Sequence, residues 1–340
     1  MIKRKDTIAQ AQSGSGKTGT FTIGCLQVID PSELNVQCLI LAPTRELAKQ
    51  TTDVVKQIGN YLGIKVHLSM GGTHVGDDKK SLNEGVHVVV GTPGRICDLM
   101  KREILVPNFL KILVMDEADE MLGRGFLDQV NDILKLVPPD TQICLFSATM
   151  PPEIIKMTEN IMTDPAKILV KNENLTLEGI KQFYISCSTD EVKFDNLIEI
   201  FSHMDVNQCM IYCNTRERAE GLADKMKAKK FVVSCMHAKM TQEERNAVMA
   251  EFRSGSSRLL VSTDLLARGI DVHQVGLVIN FDLPVKKENY IHRIGRGGRF
   301  GRRGIAINLI TKSEAKFMMD IEEFYNTEIS NLPTDLSELE

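Results

Sequence analysis

The sequence predicts two α/β domains in tandem, each built on a mainly parallel sheet covered by helices on both faces. Three observations point there. The chain is 340 residues long, about twice the usual single-domain length. Short, fully apolar runs rich in β-branched residues recur along it, and amphipathic stretches follow most of them. Strands buried on both faces read as continuous apolar runs rather than alternating ones, which is how doubly covered parallel sheets are written.

In the first half the strand-like runs are Val36 to Leu41, Val86 to Val90, Ile112 to Met115 and Ile143 to Phe146. In the second they are Phe183 to Ser186, Met210 to Tyr212, Phe231 to Cys235, Leu259 to Val261, Leu277 to Phe281 and Ile305 to Ile310. Helical periodicity marks stretches such as Thr44 to Leu62 and Thr215 to Ala228. Residues 171–179 are polar, end in glycine and lie between two strand-like runs, which suits a short linker between domains at 1–170 and 180–340. The halves share this alternation without a repeated motif, so any duplication is structural. The acidic tail after Tyr325 is expected to fray or to dock loosely at the surface.

With 43% hydrophobic residues, and 41 Lys and Arg against 45 Asp and Glu, the composition excludes a disordered chain and a small disulfide-stapled scaffold. No run approaches the roughly 18 apolar residues of a membrane helix, and MIKRKDTIAQ lacks the apolar core of a signal peptide. The eight cysteines are scattered through mostly apolar runs without a C-x2-C pair, so they are expected to be reduced core thiols in a cytoplasmic or nuclear protein. A net charge of -4 says little about partners, because a basic groove can coexist with acidic surface elsewhere.

Chemistry concentrates in a few motifs. Ala11, Gln12, Ser13, Gly14, Ser15, Gly16, Lys17 and Thr18 fit the spacing of a phosphate-binding loop, with Ala11 in place of the first glycine. In such a loop backbone N–H groups at a helix N-terminus cradle phosphates, the lysine reaches the β and γ phosphates, and the hydroxyl after it meets Mg²⁺. About a hundred residues on, an apolar run ends in Asp116 and Glu117. Strand ends in open α/β sheets face the ligand crevice, so Asp116 suits Mg²⁺ through water and Glu117 suits the attacking water of ATP hydrolysis. Read alone, the loop is also compatible with a helix-capping turn and the acidic run with a helix N-terminus.

Together with AQSGSGKT, the segments PTRELA (43–48), Gly71-Gly72, TPGR (92–95), DEAD (116–119), SAT (147–149), STDLLARGID (262–271) and HRIGRGGRFGR (292–302) make the chain resemble a DEAD-box RNA helicase over nearly its whole length. LTLEGIKQFY, EFRSGSSR and the closing DIEEFYNTEISNLP look most like the initiation factor 4A branch of that family. The resemblance implies two RecA-like domains, an ATP-binding one at 1–170 and a helicase C-terminal one at 180–340, that close on ATP and single-stranded RNA. It implies that Arg296 and Arg299 stabilise charge on the γ phosphoryl group, and that Asp271 meets the ribose where Gly269 allows close approach. Asp119, Ser147, Thr149 and His292 would then couple the nucleotide to domain movement. The partners implied are RNA, read without sequence preference, and translation-initiation scaffold and accessory factors, with no membrane.

Only 18 aromatic residues (13 Phe, 5 Tyr) serve the chain, most of them in apolar runs, so base-stacking platforms are hard to build. The alternatives are Pro43, Thr44, Arg45, Gly71, Gly72, Thr92 and Arg95, then Thr215, Arg216, Gln242, Arg245 and Thr263. Glycine backbone, hydroxyls and arginines suit phosphate and 2′-OH contacts, which position a strand without reading it. Two departures from the family pattern stand out. His237 is followed by Ala238 where the family has glycine, and with ten residues before Ala11 no adenine-recognition motif is expected in this sequence. Three activities fit these residues: an ATPase that locally unwinds RNA, an ATP-gated RNA clamp of exon-junction type, and a partial ATPase with weak nucleotide binding.

Overall fold

The computed structural model describes residues 1–123, 125–170, 179–204, 206–264, 275–297 and 304–333. The chain divides into two compact units, 1–170 and 171–340. Residues 171–178, most of the expected linker, lie outside the described residues.

In the first unit seven parallel strands form one sheet: β1 (Thr7–Gln10), β2 (Cys38–Leu41), β3 (Val66–Ser69), β4 (Val88–Gly91), β5 (Ile112–Asp116), β6 (Gln142–Ser147) and β7 (Ala166–Ile168). Their spatial order is β3-β4-β2-β5-β6-β1-β7. The helices are α1 (Lys17–Leu26), α2 (Arg45–Gly59), α3 (Val75–Asn83), α4 (Pro93–Lys101), α5 (Ala118–Met121), α6 (Leu127–Leu136) and α7 (Pro152–Thr158). Alternate residues of the same strands feed two cores. Leu39, Leu41, Leu113 and Met115 pack with α4 and α6, while Cys38, Ile40, Ile112 and Val114 pack with α1 and α2. Apolar residues at every strand position are what two covered faces require, each buried side chain contributing about 1.5–3 kcal/mol.

The second unit repeats this plan. Strands β8 (Ile180–Ser186), β9 (Cys209–Tyr212), β10 (Val233–Met236), β11 (Leu259–Ser262), β12 (Leu277–Asn280), β13 (Gly304–Ile310) and β14 (Ser330–Asn331) stand in the order β10-β11-β9-β12-β13-β8-β14, strand for strand the order of the first sheet. Helices α8 (Asp190–His203), α9 (Arg216–Ala228), α10 (Gln242–Ser254), α11 (Lys287–Ile294) and α12 (Ala315–Tyr325) accompany it. Cys209 and Ile211 face the core with α8 and α9; Met210 and Tyr212 face the core with α10.

Local signals explain the boundaries. Thr44 caps α2 by accepting from the Leu47 N–H at 3.2 Å, and Thr241 and Glu244 form a reciprocal capping box on α10. All ten expected strands are present within one to three residues of the expected limits. Four were not anticipated: β1 and β3 contain polar residues, and β7 and β14 are only three and two residues long. The last corrects the expectation of a loose tail. Ile329 is buried, β14 pairs with β8, and the Leu332 N–H donates to the Tyr184 carbonyl at 3.0 Å. Apolar residues inside the acidic tail are what hold it. As expected, the cysteines are free, and seven of the eight are buried.

Candidate functional site

Loops leaving the carboxyl ends of parallel strands are where α/β sheets gather ligands. Every candidate of the first unit sits at or just beyond such an end, and strand order sorts them into two groups. Neighbouring strands β5, β6 and β1 lead into Asp116–Asp119, Ser147–Thr149 and the 11–18 loop. Neighbouring strands β3, β4 and β2 lead into Gly71-Gly72, Thr92–Arg95 and Pro43–Arg45.

The 11–18 loop is registered against β6: the Ala11 N–H donates to the Ser147 carbonyl at 3.1 Å, and Gln10 Nε2 to the Ala148 carbonyl at 3.3 Å. Gly16 caps α1 with φ 94°, a left-handed conformation costly for any residue bearing a Cβ. Lys17 Nζ arches back to the carbonyls of Ala11 (2.6 Å) and Gln12 (2.9 Å), and Ser15 Oγ donates to the Gln12 carbonyl at 2.7 Å. An exposed glycine-rich turn, a helix N-terminus and an ammonium group are together suited to an anion.

Asp116 ends β5 and is buried. Glu117 follows with φ 53°, a left-handed conformation unusual for glutamate, and its N–H donates to Asp116 Oδ1 at 3.0 Å. Burial and the adjacent Glu117 carboxylate push Asp116 up to about 7, against the pull of the Lys17 ammonium. A carboxylate so placed is stabilised by a cation. The hydroxyl of Thr18 and the carboxylate of Asp116 are hard oxygen donors of the type Mg²⁺ takes. Asp119 closes the group, accepting from both Ser147 Oγ and Thr149 Oγ1 at 2.6 Å.

In the other group, three loops grip one another. Gly72 has φ +90°, which favours glycine, and a Cβ there would lie 2.7 Å from Arg45 Nη1 and displace that guanidinium. Arg95 donates from Nη2 to the Thr73 carbonyl (2.6 Å) and from Nη1 to Asp78 Oδ2 (2.7 Å). Asp78 Oδ1 in turn meets His67 Nε2 at 2.7 Å. Burial works against the charge on Asp78, but the His67 bond and the Arg95 guanidinium outweigh it and hold the carboxyl below its usual range. Asp78 was missed in the sequence because it lies in a polar stretch, GDDKK, that reads as solvated surface.

In the second unit Thr215 caps α9, accepting from the Arg218 N–H at 3.3 Å, and Arg216 pairs with Glu217 at 3.0 Å. Gln242 donates to Asn246, while Arg245 is buried and donates to the Ala238 carbonyl. His237, which precedes that alanine, pairs with Glu220 at 2.9 Å. Thr263 directly follows β11. His292 lies buried on α11, and Arg296 Nε donates to its carbonyl at 3.0 Å. Gly269, Asp271 and Arg299 lie outside the described residues. Arg293, the first arginine of the basic run, is fully buried over the Tyr212 ring, bonded to Asp264, Asn280, Asn214 and the Asp282 carbonyl. It is a core strut, which composition alone cannot separate from its neighbours.

A lysine-bearing glycine loop and an acidic strand end on one parallel sheet define the phosphate-loop nucleotide-binding class. Comparison with known proteins narrows it. The DEAD/DEAH box helicase profile matches residues 1–158, and the helicase conserved C-terminal domain profile matches 192–301. The ATP-dependent RNA helicase eIF4A of Neosartorya fischeri is 54% identical over 339 residues, covering 100% of this chain and 85% of that protein. The eukaryotic initiation factor 4A-III homolog B of Oryza sativa subsp. japonica is 51% identical, with 100% and 84% covered. The structure of S. cerevisiae Dbp5 bound to RNA and ADP BeF3 superposes with a TM-score of 0.93 at 35% identity, covering 98% of this chain and 87% of that one. The chain therefore belongs to the DEAD-box ATP-dependent RNA helicases.

Proposed function

We propose that this protein hydrolyses ATP when it binds single-stranded RNA without sequence preference, and that it locally opens short RNA duplexes in translation initiation. The observation that carries the reading is the division of one sheet edge: phosphate-handling groups on the ends of β5, β6 and β1, glycines and arginines on the ends of β3, β4 and β2. The high identity to the eIF4A helicases supports the cellular role.

In this reading the 11–18 loop and Lys17 hold the phosphates, and Thr18 and Asp116 hold Mg²⁺, whose charge polarises the transferred group. Glu117 orients the attacking water and accepts its proton. Arg296 and Arg299 supply positive charge to the phosphoryl group, a contribution worth about a thousandfold or more. Asp271 and Gly269 serve the ribose. Asp119, through Ser147 and Thr149, ties the acidic strand end to the phosphate-loop side of the sheet, and His292 belongs to the same coupling. RNA lies on Pro43 to Arg45, Gly71, Gly72, Thr92 and Arg95, and on Thr215, Arg216, Gln242, Arg245 and Thr263. ATP and RNA favour one state of the chain, so each strengthens the other's binding.

Steady-state ATPase with and without unstructured RNA, comparing ATP with GTP, tests the reading directly. RNA stimulation that falls steeply with salt is expected, because phosphate contacts release counterions. Glu117→Gln is expected to abolish turnover while keeping ATP-dependent RNA capture. Normal turnover in that variant, or no stimulation by RNA, refutes the reading.

A further inference from the structure

The exposed helix α3 buries one residue, and that residue is an acid: Asp78 is 1% exposed. A buried carboxylate is costly unless each oxygen is engaged, and here both are, one by His67 Nε2 and the other by Arg95 Nη1, each at 2.7 Å. Arg95 in turn uses Nη2 to hold the Thr73 carbonyl at 2.6 Å, and Thr73 Oγ1 closes the same turn onto the Met70 carbonyl at 2.9 Å. The guanidinium is thereby pinned at two points of its rigid fork, to α3 on one side and to the Gly71-Gly72 turn on the other. Arg45 also lies against Gly72.

We propose that Asp78 is a positioning residue for RNA: it fixes the Arg95 guanidinium and the Gly71-Gly72 turn in one arrangement that receives the strand's phosphates. The inference rests on the RNA reading of these loops given above. Two physical effects of Asp78 oppose each other, and their opposition makes the role testable. Its negative charge offsets the attraction of Arg95 for phosphate. Its geometry removes the rotamer entropy that a free arginine would lose on binding, and holds the turn's backbone ready. If charge were all that mattered, removing it would tighten RNA binding. If positioning dominates, removing it weakens binding even though the chain loses one of its negative charges.

The test measures the affinity of the full chain for unstructured RNA, in the presence of an ATP analogue, across a salt series. Asp78→Asn is expected to weaken binding about tenfold and to lower the slope of log affinity against log salt by about 0.7, the loss of one single-strand phosphate contact. Arg95→Gln is expected to do the same, and the double variant to lose no more than either alone. Tighter or unchanged binding by Asp78→Asn, beside a loss in Arg95→Gln, overturns the proposal while leaving the RNA reading intact. Unchanged affinity and slope in Arg95→Gln overturn the RNA reading of this loop, and the proposal with it. Should Asp78→Asn fail to fold, Arg95→Lys serves: it keeps the charge but lacks the fork that spans Asp78 and Thr73. Parental affinity in that variant overturns the proposal, whereas a loss matching Arg95→Gln supports it.

Discussion

Replacing Asp119 probes the bond pair that ties the acidic strand end to the neighbouring strand. Its carboxylate is buried and accepts from Ser147 Oγ and Thr149 Oγ1, both at 2.6 Å. A hydrogen bond to a charged group contributes about 1.5–3 kcal/mol, and Asp119→Ala removes two of them while leaving two buried hydroxyls without that acceptor. The summed cost is about 3–6 kcal/mol. Asp119→Asn keeps the shape and one accepting oxygen, and its amide can donate to the second hydroxyl, so a cost of about 1–2 kcal/mol is expected. Amide hydrogen exchange over residues 142–147, read by mass spectrometry on the nucleotide-free chain, reports the loss locally. At about 1.4 kcal/mol per decade, Asp119→Ala is expected to speed exchange there by two to four orders of magnitude, and Asp119→Asn by about one. Both variants exchanging within about threefold of the parent protein would refute the reasoning.

Gly72→Ala forces a Cβ into a left-handed backbone and toward Arg45 Nη1; about a tenfold loss of RNA affinity is expected, measured by fluorescence anisotropy with labelled RNA. Arg293→Met removes a fully buried guanidinium from Asp264, Asn280, Asn214 and the Asp282 carbonyl; a stability loss of about 3–5 kcal/mol is expected in urea unfolding. Asp116, pushed up to about 7 by burial and Glu117, holds a proton in the folded chain between that value and its unfolded value of about 4. Its contribution to nucleotide-free stability therefore increases as pH falls from 8 toward 4, and is at its least favourable above 7. Affinity for Mg²⁺-nucleotide is expected to move oppositely, falling about tenfold per unit below pH 7, with the dependence flattened in Asp116→Asn. Urea unfolding of the nucleotide-free chain and isothermal titration with Mg²⁺-nucleotide, each across pH 5.5 to 8.5, check the two signs.

Most of the sheet plan was legible because strands buried on both faces need apolar residues at every position, and runs such as Cys38–Leu41 and Ile112–Met115 admit few other readings. That residues 11–18 and Asp116 and Glu117 stand at nearby strand ends was equally legible, since each motif has a fixed residue order on a short stretch of chain. What stayed hidden depends on partners distant in sequence. A two-residue strand at Ser330–Asn331 forms only because β8 offers an edge. Arg293 and Arg296 are three residues apart in one basic run, yet the first is a strut in the core; its bonding partners come from loops and strands around residues 214, 264, 280 and 282.

The linear order of residues determined the family to which this chain belongs, because glycine, lysine and carboxylate at fixed spacings are its motifs. Only the tertiary structure decided which polar groups stand still and which are available. Asp78 and Asp77 are neighbours in one acidic pair, but α3 turns Asp78 inward to a half-buried arginine and a histidine. A charge's role depends on what desolvates it and what faces it, and both are set by strands and helices that meet only when the sheet has formed.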